Sequence, residues 1–163
     1  MVYLVTYDSC MSVSEMQASC PSAIRMMKCL LKGYRLTFRC GVLSIEPGAA
    51  ADAAPAVVWE ISEADESDLA ELYPKELYTK IQLRLKGEGI ALQAIAYVFR
   101  NTKIALPDGD DMEKIGRAYE ECGFDYWYIE NAADTAADWL KEEAKSHGTL
   151  HAGTDCTGKQ HES

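Results

Sequence analysis

The sequence predicts an α+β domain built on a mixed or antiparallel sheet. Several short β-rich runs are spread along the chain with only a few helical segments between them. Two of these runs, LYTKIQLRLK and IALQAIAYVF, alternate apolar and polar residues across Gly87-Glu88-Gly89, the pattern of a hairpin. At 163 residues with 48% apolar content, the chain is long enough for one domain with a real core.

The elements follow in order. Residues 2–7 (VYLVTY) are apolar and β-rich, a central strand that runs into the turn Tyr7-Asp8-Ser9-Cys10. Ser12 or Ser14 is placed to cap a short helix carrying Met16, which Pro21 helps to end. Residues 24–31 (IRMMKCLL) fit a strand or a helix. In YRLTFRC, Tyr34, Leu36, Phe38 and Cys40 alternate with Arg35, Thr37 and Arg39, as in a half-buried strand. GVLSIE reads as a further strand stopped by Pro47-Gly48, and GAAADAAP as a loop with Pro55 preceding the strand AVVWEI. ISEADESDLAEL has the acidic first turn of a helix, ended by Tyr73-Pro74. After the hairpin, residues 109–122 form a helix stopped by Gly123, and DTAADWLKEEAK forms another. The domain spans residues 1–145. Residues 146–163, rich in Gly, Thr and His, read as a disordered tail.

Composition narrows the chemistry. With 16 basic against 26 acidic residues, the chain is a poor partner for nucleic acid or an anionic membrane. No run reaches the ~20 apolar residues of a membrane span. The N-terminus lacks the basic start of an export signal, so a cytoplasmic location is expected. The six cysteines form no C-x-x-C pair and read as reduced, mostly buried thiols. All three histidines (His147, His151 and His161) lie in the tail, where His147, His151 and Cys156 are the one metal-like grouping. A domain without histidine has no Ser-His or Cys-His nucleophile pair, so acid-base chemistry falls to Asp, Glu, Tyr, Lys or Cys.

Several of these stretches together resemble the gamma-glutamylcyclotransferase-like family, including gamma-glutamylamine cyclotransferases. The family's Tyr-Gly-Ser-Asn turn corresponds to Tyr7-Asp8-Ser9-Cys10, and its Arg-Cys-Pro to Ser19-Cys20-Pro21. Leu31-Lys32-Gly33-Tyr34-Arg35-Leu36-Thr37-Phe38, Ile45-Glu46-Pro47 and Val57-Val58-Trp59-Glu60-Ile61 follow in family order. So do Ala94-Ile95-Ala96-Tyr97-Val98 and Gly116-Arg117-Ala118-Tyr119 with Gly123-Phe124. Each motif is weak alone, and their collinearity over residues 2–130 carries the likeness.

The resemblance implies a small mixed, barrel-like β-sheet with flanking helices. It also implies release of 5-oxoproline from a gamma-glutamyl amine or peptide, with no cofactor and no metal. The substrate's own α-amine attacks its γ-carbonyl while one glutamate moves the protons. Aligned on Tyr73-Pro74, that glutamate is Glu71, with Asp68 three residues before it. Aligned from Trp59 and Asp65, the segment is two residues short and the glutamate is missing; two residues turn a helix by ~200°. Glu76 is the fallback. Tyr7, Asp8, Ser9 and Cys10 would form the substrate turn, with Tyr34, Tyr73 and Tyr119 lining the cleft or packing the core. Asp8 for glycine and Cys10 for asparagine are departures, and they leave open a catalytically inactive module of the same fold that binds a small ligand or a protein.

Overall fold

The structure, a computed structural model, describes residues 1–87 and 89–147. Strand β1 (Val2–Thr6) is followed by a single 3-10 turn (Ser9–Met11), helix α1 (Val13–Ser19) and strands β2 (Ile24–Lys32), β3 (Tyr34–Arg39), β4 (Val42–Pro47) and β5 (Ala53–Ile61). Helix α2 (Glu63–Leu72) leads to β6 (Tyr78–Gly87) and β7 (Ile90–Phe99), and α3 (Gly109–Cys122) and α4 (Trp127–His147) complete the described residues.

The main sheet has the order β2-β5-β1-β7-β6, and β3 and β4 form a separate two-stranded sheet. β1 runs antiparallel to β5 and parallel to β7, with Leu4 opposite Ile95, so the sheet is mixed. The architecture is the expected α+β class, but the described strands form two open sheets rather than a closed barrel. Wholly buried Leu4, Val57, Val58 and Trp59 mark β1 and β5 as the centre. Trp59 resolves its one polar atom there by donating its indole N–H to Thr6 Oγ1 at 2.9 Å.

The ambiguous run 24–31 is a strand. Its alternation is blurred because Ile24, Met26, Met27 and Leu30 are all exposed on this edge strand, and a bulge lies between Arg25 and Met27. β5 starts at Ala53 and takes in Pro55, a residue the small-residue run 48–55 predicts to lie in a loop. Pro55 lies opposite Leu30, beyond the Val57 limit of the β1 pairing, so β5 has a partner on one side only at that point. β3 is buried on more than its apolar face: Thr37 is 3% exposed. Helix α4 covers the other side, with Trp139 stacked under the guanidinium groups of Arg35 and Arg39 at 5.0 and 5.4 Å. Both arginines also bond Glu46.

The β6–β7 hairpin pairs Gly87 with Ile90, and Gly89 takes the positive φ that its tight turn requires. Helix α3 ends where expected, with Gly123 in the left-handed region. The last helix extends well beyond DTAADWLKEEAK, from Trp127 through His147. Residues 146 and 147, assigned to the tail, therefore close α4, while 148–163 lie outside the described residues. No helix among the described residues is long and apolar enough to cross a membrane.

Candidate active site

The chain leaves the centre of the sheet at the C-terminal end of β1, and the turn there is Tyr7-Asp8-Ser9-Cys10. Asp8 has extended backbone (φ −108°, ψ −157°) and caps the 3-10 turn. Its Oδ1 accepts the Cys10 N–H at 2.9 Å, a local side-chain-to-backbone bond typical of Asp before a turn. The positive φ that a glycine would permit is therefore not needed here. The far end of α3 clamps this segment in place: Glu121 accepts from Ser12 Oγ and the Val13 N–H at 3.0 Å each. Arg25 pairs with the same carboxylate at 2.8 Å. Ser12 is thus the residue before α1, but its hydroxyl bonds α3 rather than capping its own helix.

Around Asp8 the fold gathers tyrosines from five places. Tyr73, just after α2, donates its hydroxyl to both Asp8 oxygens, at 3.3 and 3.1 Å. Its ring stacks on Tyr97 of β7 and meets Tyr78 of β6 edge-on. Tyr7 is buried and donates to the Tyr97 carbonyl, tying β1 to β7. Tyr119 of α3 is wholly buried, and its hydroxyl has no partner among the described residues. The hydroxyls of Tyr7, Tyr73, Tyr78 and Tyr119 all feel the negative charge of Asp8, and Tyr73 bonds it directly.

These surroundings set the ionisation. Burial raises the Asp8 carboxyl above the ordinary aspartate value, and the bonds from Cys10 and Tyr73 offset only part of that rise. As whole residues Asp8 and Ser9 are both half-buried. None of the ion pairs among the described residues involves Asp8. Burial, and then the nearby Asp8 charge, push the Cys10 thiol far up, so it stays protonated and is no nucleophile. Burial also raises Tyr7, Tyr73, Tyr78 and Tyr119, so all four remain neutral donors.

On the outer side of Tyr73 lies a cleft of about 590 Å³ lined by Tyr73, Tyr78 and Tyr97, with Glu63, Glu66 and Lys80 at its rim. Lys80 pairs with Glu66 at 3.0 Å. A second hollow of about 540 Å³ opens beside Tyr119, Phe124 and Tyr126.

The sequence-derived residues divide clearly. Tyr7, Asp8, Cys10, Tyr73 and Tyr119 come together, and Ser9 lies in the same turn. Tyr34 is elsewhere: it opens β3 opposite Pro47, and no described bond joins it to this cluster. Glu71 is exposed on α2. Asp65 and Leu69 form the buried stripe of that helix, and Glu71, two residues on from Leu69, is turned ~200° away from the core. Glu71 does not line the 590 Å³ cleft; Glu76 does and is exposed. Tyr78 and Tyr97 escaped the sequence reading. Their signal was the hairpin itself, since pairing β7 alongside β1 carries Tyr97 to the end of β1. Cys10, Cys20 and Cys122 are buried free thiols and Cys29 a half-buried one; Cys40, in the β3–β4 turn, is not among the free thiols. Among the described residues no group of His, Cys, Asp or Glu could hold a metal ion. The His147, His151 and Cys156 grouping lies outside the described side chains.

The mixed sheet with helices on its flanks makes an α+β domain whose fold is that of gamma-glutamyl cyclotransferase, as comparison with solved structures shows. The chain is similar in structure to a gamma-glutamyl cyclotransferase, with a TM-score of 0.70 at 18% identity, covering 86% of this chain and 98% of that one. It is similar to uncharacterized protein loc79017 from Homo sapiens at a TM-score of 0.70 and 19% identity, over 80% and 85% of the two chains. YkqA from Bacillus subtilis matches at a TM-score of 0.63 and 16% identity, over 89% of this chain and 54% of its own. No family model matches the sequence, and no curated protein matches it.

Proposed function

We propose that this protein is a gamma-glutamylcyclotransferase-like enzyme that releases 5-oxoproline from a gamma-glutamyl amine or peptide. The observation that carries this reading is the unpartnered, wholly buried hydroxyl of Tyr119, set among the Asp8 cluster at the turn after β1. A buried donor without an acceptor is costly, by ~1–3 kcal/mol, and such a cost is offset when a ligand oxygen completes the bond. The fold likeness to a gamma-glutamyl cyclotransferase supports the reaction class of this reading.

In this reading Ser9 and the neighbouring turn hold the substrate, and Tyr119 donates to an oxygen of the gamma-glutamyl group. The α-amine and the γ-carbonyl belong to one molecule, so the protein's main contribution is to hold them in the folded, reactive conformer. The exposure of Glu71 favours a second reading, a binding module of this fold without the cyclisation.

Incubation of the full chain with glutathione, gamma-glutamyl dipeptides and gamma-glutamyl-ε-lysine, followed by mass detection of 5-oxoproline, separates the two. Release above the uncatalysed rate is expected. Stabilisation by these compounds in thermal unfolding without any release would establish the binding module instead.

A further inference from the structure

We infer that Asp8 is the proton-carrying carboxylate of this site, in the role that the sequence resemblance would give to Glu71. The inference rests on the cyclisation proposed above and assigns its acid-base group.

Four observations converge on Asp8. It stands at the C-terminal end of β1, at the centre of the tyrosine cluster, whereas Glu71 is exposed and turned away from the core. Its carboxyl is oriented by two independent donors, the Cys10 N–H and the Tyr73 hydroxyl, which hold it without supplying positive charge. As a residue it is half-buried, next to half-buried Ser9 in the same turn. Tyr119, whose buried hydroxyl has no partner among the described residues, feels the Asp8 charge. A carboxyl ionising above its ordinary range is suited to both accepting and returning a proton near neutrality.

The steps balance with no outside reactant. The neutral α-amine of the substrate attacks the γ-carbonyl carbon, forming the ring C–N bond, and the carbonyl electron pair moves onto oxygen, where Tyr119 donates a hydrogen bond. The attacking nitrogen, now cationic, gives one proton to the Asp8 carboxylate. Collapse of the tetrahedral adduct breaks the bond to the leaving nitrogen, which takes that proton from the Asp8 carboxyl. The products are 5-oxoproline and the free amine, and Asp8 returns to its carboxylate form. Tyr73 acts through Asp8 and is a positioning residue.

The test compares 5-oxoproline release by wild type, Asp8→Asn, Glu71→Gln and Tyr73→Phe. Asn at position 8 keeps the oxygen that accepts from Cys10, so the fold is expected to survive, and a thermal midpoint checks this. Asp8→Asn should lower kcat by about 10²-fold or more, the usual scale of general acid-base catalysis. Glu71→Gln should stay within about twofold of wild type.

Tyr73→Phe adds an independent readout. Its lost hydrogen bond normally favours the charged carboxylate, so the acid limb of the pH–rate profile should move to higher pH. The other groups facing Asp8 are Cys10 on the 3-10 turn, Tyr7 just after β1, Tyr78 on β6 and Tyr119 on α3; burial keeps them all neutral across this range, so the shift is read as that of Asp8. If wild type and Asp8→Asn release product at similar rates, the assignment to Asp8 is overturned and the proposed reaction stands. If wild type releases none, the reaction and the assignment fall together. If Asp8→Asn does not fold, an unmoved acid limb in Tyr73→Phe overturns the assignment and a moved limb supports it.

Discussion

Asp8 and Asp65 are both aspartates drawn into the protein, yet their surroundings drive them in opposite directions. Asp65 lies 4% exposed on α2 and is richly supplied with donors. The Ser22 hydroxyl and the Ser62 N–H both bond its Oδ2, while the Ser62 hydroxyl accepts the Asp65 N–H to complete a capping box. The Ser22 bond, first among these, holds its carboxyl below the ordinary aspartate range. Asp8 takes bonds from the Cys10 N–H and the Tyr73 hydroxyl, with further help from its own backbone and the Cys10 thiol, yet desolvation outweighs them all, so its carboxyl is raised. A carboxylate that is satisfied by its own helix and a neighbouring loop is a structural element. One whose desolvation outweighs its hydrogen bonds retains chemistry.

Breaking Asp65 tests the structural half of this contrast and should give the largest loss of stability. Asp65→Ala removes the capping box and leaves the Ser22 hydroxyl and the Ser62 N–H without their acceptor. The expected cost is about 2–3 kcal/mol, or roughly 5–10 °C in the thermal midpoint. The pH dependence follows from the lowered carboxyl. Its contribution is fully present above the ordinary aspartate value and is lost as pH falls through the lower, folded-state value. The deficit of Asp65→Ala relative to wild type should therefore be constant near neutrality and shrink only in strong acid. Denaturant unfolding at pH 7 and at about pH 3 checks both points, and an equal deficit at the two would contradict the role given to its charge.

This difference also marks what was legible in the sequence. The acidic first turn of α2 was legible in ISEADE, and the Ser62–Asp65 capping box found there is equally local, spanning three residues. The hairpin, the helix stop at Gly123 and the central β1 were legible for the same reason: period, turn chemistry and capping are short-range signals. The environment of Asp8 was not. Tyr73 is 65 residues away and Tyr119 is brought in from α3, so the raised carboxyl depends on packing that no local pattern encodes. Glu71 shows the converse. The motif Glu-x-Tyr-Pro suggested a catalytic position, but the buried Asp65–Leu69 stripe decides which way that helix turns and carries Glu71 outward.

The chemical half of the contrast predicts a smaller change of opposite sign. For Asp8 the folded-state value lies above the unfolded one. Below the ordinary aspartate value the carboxyl is protonated in both states and costs nothing. As pH rises through the raised folded value, the folded protein must hold a charge that burial disfavours, and stability is lost. Asp8→Asn removes that charge while keeping an oxygen for the Cys10 N–H. Its thermal midpoint should exceed that of wild type by a few degrees at pH 7 and converge with it toward pH 4. A midpoint that is lower at pH 7 would mean that the carboxylate is stabilised in place, like Asp65. Coupled with the loss of turnover expected from the same variant, a gain in stability would identify Asp8 as a group kept at a cost to the fold.

Glu71→Gln sharpens the comparison from outside it, with the smallest expected effect. Glu71 is exposed, and no described ion pair or hydrogen bond holds it, so removing its charge leaves no buried group unsatisfied. Surface changes of this kind fall within about 0.5 kcal/mol. Asp65 and Glu66, within six residues on the same helix, have defined partners in Ser22 and Lys80, which gives the measurement an internal scale. A midpoint indistinguishable from wild type, with turnover intact, would place Glu71 among solvated surface carboxylates. A loss of turnover with an unchanged midpoint would instead return the proton-carrying role to α2, and would require the segment Leu72–Pro74 to rotate Glu71 toward the tyrosine cluster during the reaction.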